Sequence, residues 1–263
     1  MTSLFRPNGF KKALTKTTMR AKTMKTTMTT DFAAMAPDAR GGGSDAKAGR
    51  LLALAPLRAE ALALRWGAPE LHVERCGMGA QRAQAAAHRL APSSASAFVV
   101  AGVGGALDRR LATGDIVVAS ELRNEFGERR PLRPDSDSLA DLLRTLGHPV
   151  HVAPIVSSEQ LVTGSSRRQR LAEDGAHVVD TESWWLAACA GARPFAVVRV
   201  VVDAPDRELL RLGTAWRGLE ALRVLARIAP ALARWGGQID STASAASAEP
   251  RHPRAQPALQ LVS

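Results

Sequence analysis

The stretch FVVAGVGGALDRRLATGDIVVAS, residues Phe98–Ser120, decides the fold class of this 263-residue chain. It opens with the apolar run FVVAG (Phe98–Gly102), passes through the glycine cluster Gly102-Val103-Gly104-Gly105, and returns to a second apolar run, DIVVAS (Asp115–Ser120). Both runs have strand length, and both are continuously apolar rather than alternating. A strand of that kind belongs to a sheet covered on both faces. The glycine cluster between them reads as a tight turn after a buried strand.

The same pattern continues outward. LLALA (Leu51–Ala55), LHVERC (Leu71–Cys76), VHVAPIV (Val150–Val156), HVVD (His177–Asp180) and FAVVRVVV (Phe195–Val202) read as further strands. Helical segments alternate with them: PLRAEALALRW (Pro56–Trp66), AQRAQAAAHRL (Ala80–Leu90), and stretches at 136–146, 166–174, 182–192 and 214–235. This alternation predicts an α/β fold, a three-layer α/β/α sandwich with a mixed, mainly parallel sheet. Ligands on such sheets bind beyond the carboxyl ends of the strands.

Composition narrows the function. The chain is 46% hydrophobic but only 4% aromatic and has no Tyr, so its core is largely aliphatic. Its formal net charge of +10 would suit a nucleic-acid binder, yet every Lys lies between Lys11 and Lys47. The basic excess therefore belongs to an N-terminal segment, with no base-stacking aromatics interleaved, and nucleic acid is set aside as a partner. Residues 1–49 read as a disordered basic tail, 50–236 as one catalytic domain, and 237–263 as a second disordered tail. No stretch approaches the roughly 20 apolar residues of a membrane span, and no apolar run follows the basic N-terminus as in a secretory signal. The expected compartment is the cytoplasm. Cys76 and Cys189 are too few for a disulfide framework and read as core thiols. No zincin, Walker or nucleophile-elbow motif occurs, so neither a metal nor an organic cofactor is expected.

Acids at strand ends are the remaining chemistry. Asp180 and Glu182 close one strand, and Asp203 follows the most apolar one, four residues beyond Arg199. A carboxylate there is placed for a ligand, and partial burial would raise its pKa toward that of a general acid. Asp is equally a favoured helix N-cap, and spacing alone leaves both roles open. Gly77-Met78-Gly79, between a strand and a helix, could present bare backbone N–H groups to an anion or a sugar hydroxyl.

These segments carry a family resemblance. LALAPLRAEAL (Leu52–Leu62), CGMGAQRA (Cys76–Ala83), VVAGVGGALDRRLATGDIVVAS (Val99–Ser120), VSSEQLVTG (Val156–Gly164), VVDTESWWLA (Val178–Ala187) and VVRVVVDAPD (Val197–Asp206) resemble, in order, segments of the purine nucleoside phosphorylase and methylthioadenosine/S-adenosylhomocysteine nucleosidase superfamily. The resemblance implies cleavage of a purine nucleoside's N-glycosidic bond. It implies Asp203 as the acid that protonates the purine at N7, Glu60 as the carboxylate that activates water, and Arg199 beside the nucleophile. Glu182 would hold the ribose diol, with Thr181 beside it. Val162 and Leu161 would meet the base, and Val103 and Gly104 would line the nucleophile's side.

This chain departs from the family at three places. Val103 stands where a hydroxyl is usual, Leu161 replaces a stacking aromatic, and the Gly-Asp-Pro arginine loop of uridine phosphorylases is absent. These departures favour hydrolysis, with inorganic phosphate as the alternative co-substrate. The segment Val198–Trp235 most resembles a subgroup associated with hopanoid biosynthesis, which implies adenine as base and adenosylhopane as substrate. Methylthioadenosine or S-adenosylhomocysteine cleavage, or a non-catalytic nucleoside-binding module, are the alternatives. Peripheral membrane contact and homo-oligomerisation stay open. For the apolar stripe of the last helix, packing on the sheet is favoured over lying on a membrane. For Trp184 and Trp185, helix packing is favoured over a pocket wall.

Overall fold

The computed structural model describes residues 51–132, 134–203 and 214–248. The basic tail at 1–49, the stretch 204–213 within the hopanoid-like segment, and residues 249–263 lie outside the described residues. Eight strands form one mixed sheet: β1 (Leu51–Ala55), β2 (His72–Arg75), β3 (Ala97–Ala106), β4 (Ile116–Asn124), β5 (Arg129–Pro131), β6 (Val150–Ser157), β7 (Val178–Asp180) and β8 (Phe195–Asp203). The helices are α1 (Arg58–Gly67), α2 (Ala80–Leu90), α3 (Asp135–Thr145), α4 (Ser165–Glu173), the single turn α5 (Ser183–Leu186) and the long α6 (Thr214–Ala248).

The sheet is mixed and mainly parallel, as the sequence predicts. β1 lies parallel to β2 and β3, β3 to β8, and β6 to both β4 and β7; β3 with β7, β4 with β8, and β4 with β5 are antiparallel. The sheet also curls until β8 pairs with both β3 and β4, which closes a ring β3-β7-β6-β4-β8. Closure removes two edges from solvent and draws the ends of β3, β7 and β8 together.

Alternate residues of the strands feed two apolar clusters. Val99, Ala101, Val118, Val198 and Val200 pack with α1, α3 and α6, whereas Phe98, Val100, Val117, Val197 and Val201 pack against α2 and α5. Burying both faces explains why these strands are apolar throughout. The stripe on α6 is core: Leu225, Ile228 and Leu232 are fully enclosed, and the buried Trp235 donates its indole N–H to Ser138 Oγ at 2.8 Å. The packing reading of that helix is therefore the correct one. Trp184 and Trp185 are half-buried against the second cluster. Cys76 and Cys189 are buried in the same cluster, and burial pushes their thiols up to about 12 and about 11.

Three expectations need correction. The glycine cluster Gly102–Gly105 is not a turn; β3 continues through it with a bulge opposite β8. The helix expected over 182–192 is one α-turn followed by a 3₁₀ turn, ended by Gly191 at φ +60°. Residues 237–248, expected to belong to a tail, are helical instead, because α6 runs on to Ala248. There Ile239 still packs on the core, and Ser241 and Thr242 return their hydroxyls to carbonyls four residues back, so these polar side chains do not break the helix.

Candidate active site

Gly102 and Gly105 of β3 make room for charged side chains. A Cβ at Gly102 would stand 2.6 Å from Glu60 Oε1 and 2.7 Å from Arg199 Nη1, and one at Gly105 would stand 3.0 Å from Asp203 Oδ1. Side chains from α1 and β8 thus cross a strip of bare backbone, and any larger residue at Gly102 would displace them.

Glu60 occupies the first turn of α1, where a carboxylate answers the unsatisfied N–H groups of a helix start. Its Oε2 accepts from Leu57 N at 2.6 Å and its Oε1 from Val103 N at 2.8 Å. Only 1% of its surface is exposed. Burial raises its pKa to about 7, against the opposing pull of Arg199 and of the two backbone donors.

Arg199 is fully enclosed and organises the neighbouring acids. It donates to Asp180 through Nε at 2.9 Å and Nη2 at 2.7 Å, to Ser183 Oγ at 2.9 Å, and more distantly to Glu182 Oε2 at 3.5 Å. Asp180 also accepts from Ser157 Oγ at 2.5 Å, from the Ser183 hydroxyl, and from the backbone N–H groups that open α5. Burial works to raise its pKa, but Arg199 and these hydroxyls prevail and hold it below the ordinary value. Glu182 is raised by burial and then by Asp180, although Arg199 opposes both. Its Oε1 accepts from Gly79 N at 2.8 Å and from the Thr181 hydroxyl. The turn Gly77-Met78-Gly79, which needs glycine at φ +86° and +94°, therefore meets an anion after all, and the anion is the protein's own.

Asp203 ends β8 with 2% exposure. Its Oδ2 accepts from Arg168 Nη2, while Oδ1 is buried with no hydrogen-bond partner among the described residues. Burial raises its pKa, opposed by Arg168. An unpartnered buried oxygen is costly unless a proton or a ligand completes it.

One cleft of about 290 Å³ collects these groups. Glu60, Val103, Gly104, Leu161, Val162, Thr181, Glu182 and Asp203 all line it, and Arg199 lies beneath, so every residue expected at the site is gathered in one place. Leu161 is 56% exposed at the rim. Sequence reasoning missed Arg168 as a site residue and left Asp180 open between a ligand-facing carboxylate and a helix N-cap; it accepts from the N–H groups that open α5 and pairs with Arg199. SSRRQR (Ser165–Arg170) reads as a solvated helix start, and of its two adjacent arginines Arg167 does turn to Glu125 at 2.7 Å while Arg168 turns inward. A strand-end Asp two residues before another acid was the available signal for Asp180.

The family model described as "Phosphorylase superfamily" matches residues 59–233, a span that contains Glu60, Glu182, Arg199 and Asp203. Comparison with curated protein sequences gives no significant match. Among solved structures, the 5'-methylthioadenosine/S-adenosyl homocysteine nucleosidase of Campylobacter jejuni is 14% identical, with 72% of this chain and 99% of that one covered at a TM-score of 0.60. The futalosine hydrolase of Helicobacter pylori is 14% identical, covering 74% and 98%, at 0.61. The Helicobacter pylori methylthioadenosine/S-adenosyl homocysteine nucleosidase bound to a pyrrolidine ligand is 14% identical, covering 74% and 99%, at 0.60. At that identity the likeness establishes a common fold, and with the family match over residues 59–233 it closes the assignment: this chain belongs to the phosphorylase superfamily.

Proposed function

We propose that the chain is an enzyme that hydrolyses the N-glycosidic bond of a purine nucleoside. The observation that carries this reading is the pairing, in one cleft, of a buried carboxyl titrating at about 7, Glu60, with a second carboxyl, Asp203, whose Oδ1 is buried and unengaged. The solved structures of this fold include nucleosidases and a hydrolase by name, in keeping with that chemistry.

Glycosidic cleavage passes through an oxocarbenium-like transition state, with positive charge on the sugar and negative charge on the leaving base. Asp203, protonated, gives its proton to N7 as the C1′–N9 bond breaks, so the bonding pair leaves with a neutral base. Glu60 as carboxylate takes a proton from water as its oxygen adds to C1′. Glu182 lines the same cleft and accepts from the ribose hydroxyls, adding negative charge beside the developing cation. Water is favoured over phosphate because each arginine described at the cleft already has a carboxylate to balance its charge. Arg168 is paired with Asp203, and Arg199 is enclosed by Asp180, Glu182 and Ser183.

The test is product analysis. Purified protein incubated with inosine, adenosine, methylthioadenosine and S-adenosylhomocysteine, with and without phosphate, should release free base and free sugar at a rate indifferent to phosphate. Accumulation of a sugar 1-phosphate would make it a phosphorylase. Binding with every glycosidic bond intact after long incubation would make it a nucleoside-binding module. The pH profile checks Glu60 in particular. Its active form is the carboxylate, so kcat/KM should climb as pH rises through about 7. An ascending limb near the ordinary 4.5 would remove Glu60 from the role.

A second reading adds a large hydrocarbon at the 5′ position, as in the adenosylhopane that the subgroup resemblance implies. The exposed Leu161 and the half-buried Met78 at the cleft favour it. Adenosylhopane added to the same panel, with adenine release as the readout, tests it.

A further inference from the structure

We propose that Arg168 reads position 6 of the purine and selects an oxo group there over an amino group. The inference rests on Asp203 delivering its proton to N7, and it departs from the adenine that the subgroup resemblance implies.

Arg168 is 5% exposed although it lies in the polar first turn of α4. Its Nη2 is bonded to Asp203 Oδ2, its Nη1 donates to Ala106 O at 3.3 Å, and its buried Nε has no partner among the described residues. The guanidinium is thus fixed at the cleft beside the acid and keeps donors to spare. It carries five N–H donors and no acceptor.

On a purine, N7 and the substituent at C6 are adjacent on one edge. A group beside the N7 acid therefore meets that substituent. A lone aspartate could offer one oxygen to N7 and the other to a 6-amino group, but here Oδ2 is already taken by Arg168. What remains for N7 is Oδ1, and the neighbour offered to position 6 is a donor. An oxo group accepts from it, whereas an amino group sets donor against donor. The other side chains at this end, Leu161, Val162 and Val202, provide no acceptor. Sites built around such a hydrogen bond reject the mismatched analogue because their own buried groups are left unpaired.

The experiment compares matched nucleoside pairs, inosine with adenosine and 5′-methylthioinosine with 5′-methylthioadenosine, in wild type, Arg168→Gln and Arg168→Lys. Wild type should favour the 6-oxo member in kcat/KM by at least about tenfold. Arg168→Gln, which presents an acceptor as well as a donor, should bring the ratio within about threefold or invert it, and Arg168→Lys should keep the oxo preference. A ratio is indifferent to the fraction of a variant that folds. Calorimetric titration of hypoxanthine and adenine gives the same comparison without turnover, with hypoxanthine tighter in wild type and the difference lost in Arg168→Gln. Equal or amino-favouring ratios in wild type, an oxo preference unchanged in Arg168→Gln, or binding of neither base would overturn the proposal. Preferential hypoxanthine binding without release of base from any nucleoside would overturn the hydrolase reading and leave the base assignment standing.

Discussion

Asp203→Asn should lower the rate of base release at saturating nucleoside by about a hundred- to ten-thousand-fold, the usual worth of general acid assistance. The substitution preserves shape and removes the proton that Oδ1 would give. The neighbouring polar group, Arg168, does not replace it, because its guanidinium is already bonded to the other oxygen. Nucleoside affinity should change far less than turnover, since the ribose contacts through Glu182 are untouched. Single-turnover base release with parallel calorimetry makes the check. A variant that retains release within about tenfold of wild type would show that the base departs without Asp203.

Arg199→Met should destabilise the fold by about 3–5 kcal/mol at neutral pH, the cost of removing one member of a buried ion pair. It would leave Asp180 and Glu182 facing each other without their shared cation. The pH dependence carries the signature. In wild type Asp180 is held below its ordinary value, so its contribution is present above the unfolded pKa and lost as pH falls. Without Arg199, burial and mutual repulsion raise both acids. The stability of the variant is then fully present below their unfolded values and is lost as pH rises through the folded ones. Urea midpoints at pH 5 and pH 7 should therefore show a smaller deficit at pH 5. An equal deficit at both would mean that packing, not charge, was lost. Arg199→Lys, with the charge but not the fork, should fall between.

Much of this architecture is legible in the residues. Phe98–Gly102 and Phe195–Val202 could only be strands covered on both faces, and α1, α2 and α6 follow from apolar spacing with polar residues between. The misplaced features share one cause. Gly102–Gly105 reads as a turn because glycine usually marks one, but its glycines answer to side chains far away in sequence, Glu60 and Arg199 at Gly102, Val178 at Gly104 and Asp203 at Gly105. Residues 237–248 read as a tail because Ser, Thr and Ala alternate without period, yet Ile239 finds the core. The short strand β5 escaped notice because RRP is polar and pairs only along the edge of β4.

The residues alone determined the strand and helix order and the identity of the acids at the strand ends, because apolar periodicity is a local property. Tertiary structure decided the rest. Closing β8 onto both β3 and β4 brings Glu60, Glu182 and Asp203 around one cleft, sets Arg199 as the counter-charge shared by Glu60, Glu182 and Asp180, and turns Arg168 inward to Asp203. Which carboxyl stays charged and which keeps its proton depends on burial and on distances of a few ångströms between residues up to 139 positions apart, as with Glu60 and Arg199, and no local pattern encodes those.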